Sequence, residues 1–239
     1  MKPVLTISLV FNLVLVAIII FGASMTGRLV QSNLLQPAYE RSVSLYDVLP
    51  IEAGDLVMLG DSLVSAAPWH ELLPGLPVRT RGVIGDTSAG VLGRLDQVIA
   101  GQPAMVMIMA GTFDIQASVP RRTTVANIAR VVERLQAELP NADVLLMGVL
   151  PRSLENAPGV HRLNQEYAAI AERTGAYFLD LTEGFSGSDG TLDPAITNDG
   201  LHLNGEGYLR WRDRLRPWIE SRLEQRERAG HDSRGERAT

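Results

Sequence analysis

The chain opens on an almost unbroken apolar run from Val4 to Ala23, interrupted by Thr6, Ser8 and Asn12. As a helix rising about 1.5 Å per residue, a run of this length crosses the roughly 30 Å hydrocarbon layer of a bilayer. Residues 28–50 are more polar and stop at Pro50, which predicts a partly helical stalk. A different rhythm follows. Short apolar runs at Asp55–Leu59, Ala104–Ala110, Asp143–Leu150 and Ala176–Leu181, with the short stretch Val78–Arg81 before Gly82, predict five strands, and Gly60, Gly82, Gly111 and Pro151 stop the first four in chain order. Between them apolar residues recur at helical spacing, at Val91, Leu92, Leu95, Val98 and Ile99 within Ala89–Ile99, and at Val125, Ile128, Val131, Val132 and Leu135 within Thr123–Leu139. His161–Arg173 and Gly205–Leu223 also read as helices. Continuous apolar strands alternating with helices predict one α/β domain, residues 51–222, on a parallel sheet of about five strands covered on both faces. Beyond it, residues 223–239 carry Arg and Glu among Gln, Ser and Gly with few apolar residues, which predicts a charged, disordered tail.

The flanks of the apolar run set its orientation. Lys2 precedes it and Arg28 follows. The positive-inside rule then puts the amino terminus in the cytoplasm and the body outside, with residues 1–27 as a transmembrane helix that makes the membrane a partner. The alternative is a cleaved signal segment that releases the body as a secreted protein, although signal peptides have apolar regions of only about 7–15 residues. A lipid-modified cysteine is excluded, because the 239 residues contain no cysteine. The same absence removes disulfides, thiolate zinc sites and cysteine nucleophiles. Four histidines leave little room for a histidine-rich metal site. A net charge of −5 offers no basic face for nucleic acid.

In parallel α/β sheets reactive groups collect beyond the carboxyl ends of the strands. Ser62 stands there, two residues past Gly60, where a helix begins. By itself Asp61-Ser62 is equally an ordinary helix cap. Asp199-Gly200-Leu201-His202, before the last helix, supplies what a nucleophilic serine needs, a histidine to take its proton and a carboxylate to orient that histidine, although taken alone it reads rather as a surface loop with a capping Asp and a satisfied His. His70, His161 and His231 lie in probable helices or the tail and suit that task less. The chain has no G-x-S-x-G elbow, phosphate loop, dinucleotide loop or H-E-x-x-H motif.

Four ordered blocks carry a resemblance. Gly60-Asp61-Ser62-Leu63 resembles the first block of the GDSL, or SGNH, hydrolases. Arg81-Gly82-Val83-Ile84-Gly85-Asp86-Thr87 is similar to the second, Ala110-Gly111-Thr112-Phe113-Asp114-Ile115 falls at the third, and Asp199–His202 resembles the fifth. Val149–Arg152 and Leu203–Tyr208 also look like family segments, and the branch most resembled is that of the platelet-activating-factor acetylhydrolase catalytic subunit. The resemblance implies a three-layer α/β/α flavodoxin-like sandwich. It also implies an esterase or acylhydrolase that works through an acyl-enzyme, with an acyl ester of carbohydrate or lipid as substrate. Ser62 would be the nucleophile, His202 the base and then acid, and Asp199 the orienting carboxylate. The N–H groups of Ser62 and Gly85 would hold the oxyanion, with no metal or other cofactor.

One position departs. The third block of the family supplies an Asn as a further oxyanion donor, and Phe113 stands there instead. A phenyl ring donates no hydrogen bond, and loss of one such donor typically costs about 10²–10³ in rate. The departure leaves an active esterase as the first reading and a weakly active or inactive acyl- or carbohydrate-binding relative as the second. Asp61 and Asp86 are expected to bond backbone N–H groups of the site loops. Asp189 and Asp193 fit turns better than a calcium loop, and Trp69 with Leu72-Leu73-Pro74 lines a substrate groove or packs in the core.

Overall fold

Strands β1 (Leu56–Gly60), β2 (Val78–Gly82), β3 (Met105–Met109), β4 (Asp143–Met147) and β5 (Tyr177–Leu179) pair in one parallel sheet of order β2-β1-β3-β4-β5. The computed structural model describes residues 35–152 and 157–235. The run Val4–Ala23, and with it the predicted anchor or signal segment, lies outside the described residues; among the described residues no helix is long and apolar enough to cross a membrane. The helices are α1 (Gln36–Val48), α2 (Ser62–Ser65), α3 (Trp69–Leu72), α4 (Ser88–Gly93), α5 (Asp96–Ala100), α6 (Thr112–Gln116), α7 (Arg121–Glu138), α8 (Ala157–Thr174) and α9 (Gly205–Gly235).

Strands β1, β3 and β4 are buried along their whole length, which is why they read as unbroken apolar runs. Successive side chains go to opposite faces. Val57, Leu59, Val106, Ile108, Val144 and Leu146 join one core with residues of α4, α5, α7 and α8. Leu56, Met58, Met105, Met107, Met109, Leu145 and Met147 join the other with residues of α2, α3 and α9. The result is three layers, α/β/α. On the methionine-rich face the unbranched thioethers fill the space around two buried indoles, Trp69 and Trp211, whose ring centroids stand 5.0 Å apart at 83°. Trp69 and Leu73 are therefore core residues, and the Trp69 indole N–H donates to Val64 O at 2.8 Å.

The structure corrects four sequence expectations. The run predicted for the fourth strand ends early because the Asn164 side chain takes both backbone groups of Val149, at 2.8 and 2.9 Å. The single helix predicted over Ala89–Ile99 is two, α4 and α5. At Arg94 the backbone leaves helical geometry (φ −111°) as the guanidinium turns inward to Asp86. The predicted disordered tail is helical to Gly235, because α9 runs on through good helix formers whose charges find partners. Arg222 and Arg226 reach Asp143 at 2.8 and 3.1 Å, and Arg228 meets Glu224 at 3.3 Å. Finally, the compact unit begins at Leu45 rather than residue 51. The Tyr46 hydroxyl donates to Gly82 O at 2.9 Å and Arg81 donates to Leu49 O at 2.7 Å, so this stretch is part of the domain.

The strand order positions the site. From β1 the chain moves outward to β2 and then reverses to β3 on the other side, and ligands of open α/β sheets bind at such a reversal. Gly60 pairs with Gly82 on one side and Met109 on the other. The loops that follow these three strands thus leave the sheet at one level.

Candidate active site

Asp61 ends the β1 loop and caps α2, accepting from Leu63 N at 3.1 Å, so that Ser62 opens the helix at the sheet edge. The capping role expected of Asp61 is thus present. Its carboxyl is fully buried, and burial together with the nearby Asp86 and Asp114 carboxylates pushes its pKa up to about 7 despite the Leu63 N–H bond. Asp86 takes the expected backbone bond, from Thr87, and adds a stronger one. Its main partner is the buried Arg94 guanidinium, at 2.7 Å, which also donates to Gly60 O (3.0 Å) and Arg81 O (2.8 Å) and so ties the ends of β1 and β2 together. Burial raises the Asp86 pKa against the pull of Arg94. The sequence signal for this pair was a charge on an apolar stripe, since Arg94 falls three and four residues from Val91 and Val98.

Across the site, the loop before α9 brings His202 back to Ser62. Ser62 Oγ and His202 Nε2 are 3.3 Å apart, and His202 Nδ1 is 2.7 Å from Asp199 Oδ2. Asp199 Oδ1 accepts from His202 N (2.7 Å) and Leu201 N (2.9 Å), so one carboxylate shapes the loop and orients the ring it carries. The bond from the His202 ring, joined by these backbone N–H groups, holds the Asp199 carboxyl well below the usual range. With Asp199 ionised, Nδ1 carries the proton and Nε2 presents its lone pair to Ser62. Thr197 fastens the turn by donating to His202 O at 2.7 Å and accepting from Gly200 N at 3.0 Å, a role that residue type alone did not announce. Half of the His202 side chain is open to solvent.

The other two loops meet each other. Gly85 has φ +75°, which a side chain rarely tolerates, and a Cβ there would stand 3.8 Å from Phe113 Cζ. The Phe113 ring therefore lies against the backbone proposed as an oxyanion donor. Phe113 is aimed there by α6, whose cap Gly111 (φ +116°) has room only for hydrogen, since a Cβ would come within 2.6 Å of the Tyr167 hydroxyl. Asp114, buried, accepts from Ser88 N (2.7 Å), Ser88 Oγ (2.5 Å) and Thr124 Oγ1 (3.0 Å), and Arg152 donates to Thr112 O at 2.7 Å. The third loop is thus braced on both sides, with Phe113 half-buried between the braces. Asp189 and Asp193 hold turns, through Thr191 N at 3.0 Å and Ala195 N at 3.0 Å. His70 pairs with exposed Glu71 at 3.5 Å and His161 meets Gln165 at 3.1 Å, and neither is part of the Ser62–His202–Asp199 chain.

A nucleophile, a base and an orienting carboxylate in hydrogen-bonded series at a sheet's switch point can perform acyl transfer. The model of the GDSL-like lipase/acylhydrolase family matches residues 58–210, a span that contains Ser62, Gly85, Phe113, Asp199 and His202. The chain belongs to this family. It is 32% identical over 165 residues to platelet-activating factor acetylhydrolase IB subunit alpha1 of Homo sapiens, covering 64% of this chain and 70% of the relative. The crystal structure of a GDSL-like lipase from Bacteroides thetaiotaomicron superimposes with a TM-score of 0.68 at 26% identity, over 77% of this chain and 97% of that one. A psychrotrophic esterase from Pseudoalteromonas, 23% identical, shares the fold with a TM-score of 0.60, over 72% of this chain and 99% of its own. This GDSL-like chain is accordingly of the acylhydrolase class.

Proposed function

We propose that this GDSL-like protein is a serine esterase that removes small acyl groups, acetyl foremost, from carbohydrate or lipid. We further propose that the apolar run Val4–Ala23 anchors it in a membrane with the catalytic domain outside the cytoplasm. The observation that carries the enzymatic reading is the continuous series from Ser62 Oγ through His202 to Asp199. In this reading Ser62 Oγ attacks the ester carbonyl while His202 Nε2 takes its proton and Asp199 balances the imidazolium charge. The N–H groups of Ser62 and Gly85 stabilise the oxyanion. The tetrahedral adduct collapses, the alkoxide leaves with the proton from His202, and the acyl group stays on Ser62. Water, deprotonated by His202, then releases the acid and restores the hydroxyl. The 3.3 Å separation of Ser62 and His202 suits a bond that tightens on substrate binding.

The position of Phe113 favours a second reading, since a ring over Gly85 withholds one donor and fills space a substrate would use. Under it the protein is a weakly active or inactive acyl- or carbohydrate-binding member of the fold. A panel of short-chain nitrophenyl and acetylated sugar esters, with Ser62→Ala as control, separates the two. The esterase reading expects turnover and fluorophosphonate labelling that both vanish in Ser62→Ala. Turnover that survives the substitution removes Ser62 as nucleophile, and an unlabelled, inactive wild type favours the binding reading.

A further inference from the structure

Leu45, Val48 and Leu49 are 53%, 73% and 46% exposed. Leu45 and Val48 share a face of the last turn of α1, and Leu49, just past its end, continues that turn through its N–H bond to Leu45 O at 3.1 Å. Ile84, in the loop after β2, is 58% exposed. With Tyr177 and Leu209 these complete the exposed large hydrophobic residues among the described residues, so four of six stand on the two segments, the end of α1 and the loop after β2, that flank Arg81 and Gly82. The turn that bears them is fastened. Tyr46 donates to Gly82 O, Arg81 donates to Leu49 O, and the Arg81 guanidinium stacks 4.9 Å from the Tyr46 ring centroid. These contacts use the Tyr46 side of the helix and leave the apolar face outward. Ile84 immediately precedes Gly85, so this apolar collar borders the Ser62 site on the same sheet edge. Clustered exposed apolar residues mark a surface that something covers.

The chain itself indicates what. Val4–Ala23 ends about twenty residues before Leu45, and since residues 36–44 of that segment are in α1, it spans about 30 Å if helical throughout and at most roughly 55 Å if the rest is extended. Whatever layer holds the apolar run is within reach of the collar.

We propose that the collar Leu45–Val48–Leu49–Ile84 rests in the bilayer interface, and that the substrate is an acyl ester borne by an amphiphile in that bilayer. This rests on the esterase and anchor readings above. An apolar face of this kind settles at the boundary of headgroups and acyl chains. There the site mouth would meet an ester at headgroup depth, without the lipid leaving the membrane. The chemistry is that already given: water is consumed, and acid and alcohol are released.

The test uses the full chain reconstituted in phosphatidylcholine vesicles, with p-nitrophenyl acetate as soluble ester and a pyrene-labelled long-chain alkyl acetate held in the same vesicles. In Val48→Ser/Leu49→Ser/Ile84→Ser, turnover of the soluble ester should stay within about twofold while that of the vesicle-borne ester falls tenfold or more. Unchanged vesicle-borne turnover overturns the proposal. So does a variant that loses a dimer in detergent yet keeps that turnover, since a second copy would then be the occupant. If both esters suffer equally, Val48→Ser alone decides: a selective loss supports the collar, and none overturns it. A wild type that turns over neither ester defeats the esterase reading, and an active wild type that fails to float with vesicles defeats the anchor; each overturns this proposal as well.

Discussion

Replacing Phe113 by Asn tests the chemistry at its weakest point. The Phe113 side chain is directed at Gly85, with Cζ 3.8 Å from where a Cβ on that glycine would be. An amide at the same position thus points a donor toward the developing oxyanion. A well-placed donor contributes about 10²–10³ in rate. The Asn amide ends short of the position that Cζ holds, so the gain falls at or below the low end of that scale, and kcat should rise about 10–100-fold, roughly 1.4–2.7 kcal/mol of barrier. Because the bond forms in the transition state, KM should change by less than about threefold. The half-buried ring gives up some packing, at a cost of about 1 kcal/mol, while the loop keeps its braces at Asp114 and Arg152. Saturation kinetics on p-nitrophenyl acetate at matched fraction folded read this out. A tenfold or greater fall in kcat refutes the reasoning and gives the ring a catalytic task of its own. A change confined to KM makes it a wall of the acyl site and nothing more.

Other outcomes follow from the same geometry. Asp199→Asn should lower kcat by about 10³–10⁴, because an amide no longer fixes the His202 tautomer or its cation; a fall under tenfold would remove Asp199 from the mechanism. Asp61→Asn tests the buried carboxyl. Its folded pKa of about 7 lies above the ordinary 3.8, so the unfolded chain releases this proton first and wild-type stability declines between these values as pH rises. The variant keeps the cap to Leu63 N without that decline, so its urea-derived advantage should grow from pH 4 to pH 7, by at most about 4 kcal/mol, and then level off. A pH-independent difference would contradict this. Arg94→Met strands the Asp86 carboxylate and removes the donor shared by Gly60 O and Arg81 O, and should cost about 3–5 kcal/mol in urea unfolding. A loss below 1 kcal/mol would show that the pair does not hold the two strand ends.

The central strands β1, β3 and β4 were written in the sequence, because a strand buried on both faces must be apolar along its length. The chemistry of Ser62 and of Asp199–His202 was legible for a similar reason: few residue types can attack an ester, and the chain offers no cysteine and few histidines. The Asp199–His202 link is local, four residues of loop closed by backbone N–H groups on one carboxylate. What no stretch of sequence contains is the contact of Ser62 with His202 across 140 positions, or of Phe113 with Gly85. Strand order decides these, and short strands do not state their order in the sequence. The same holds for Arg94, whose charge is tolerable only where Asp86 and two carbonyls converge, and for α9, whose charged turns find Asp143 at the amino end of β4. Local pattern depends on near neighbours along the chain. Pairing of buried charges and assembly of the site depend on distances that exist only once the layers have packed.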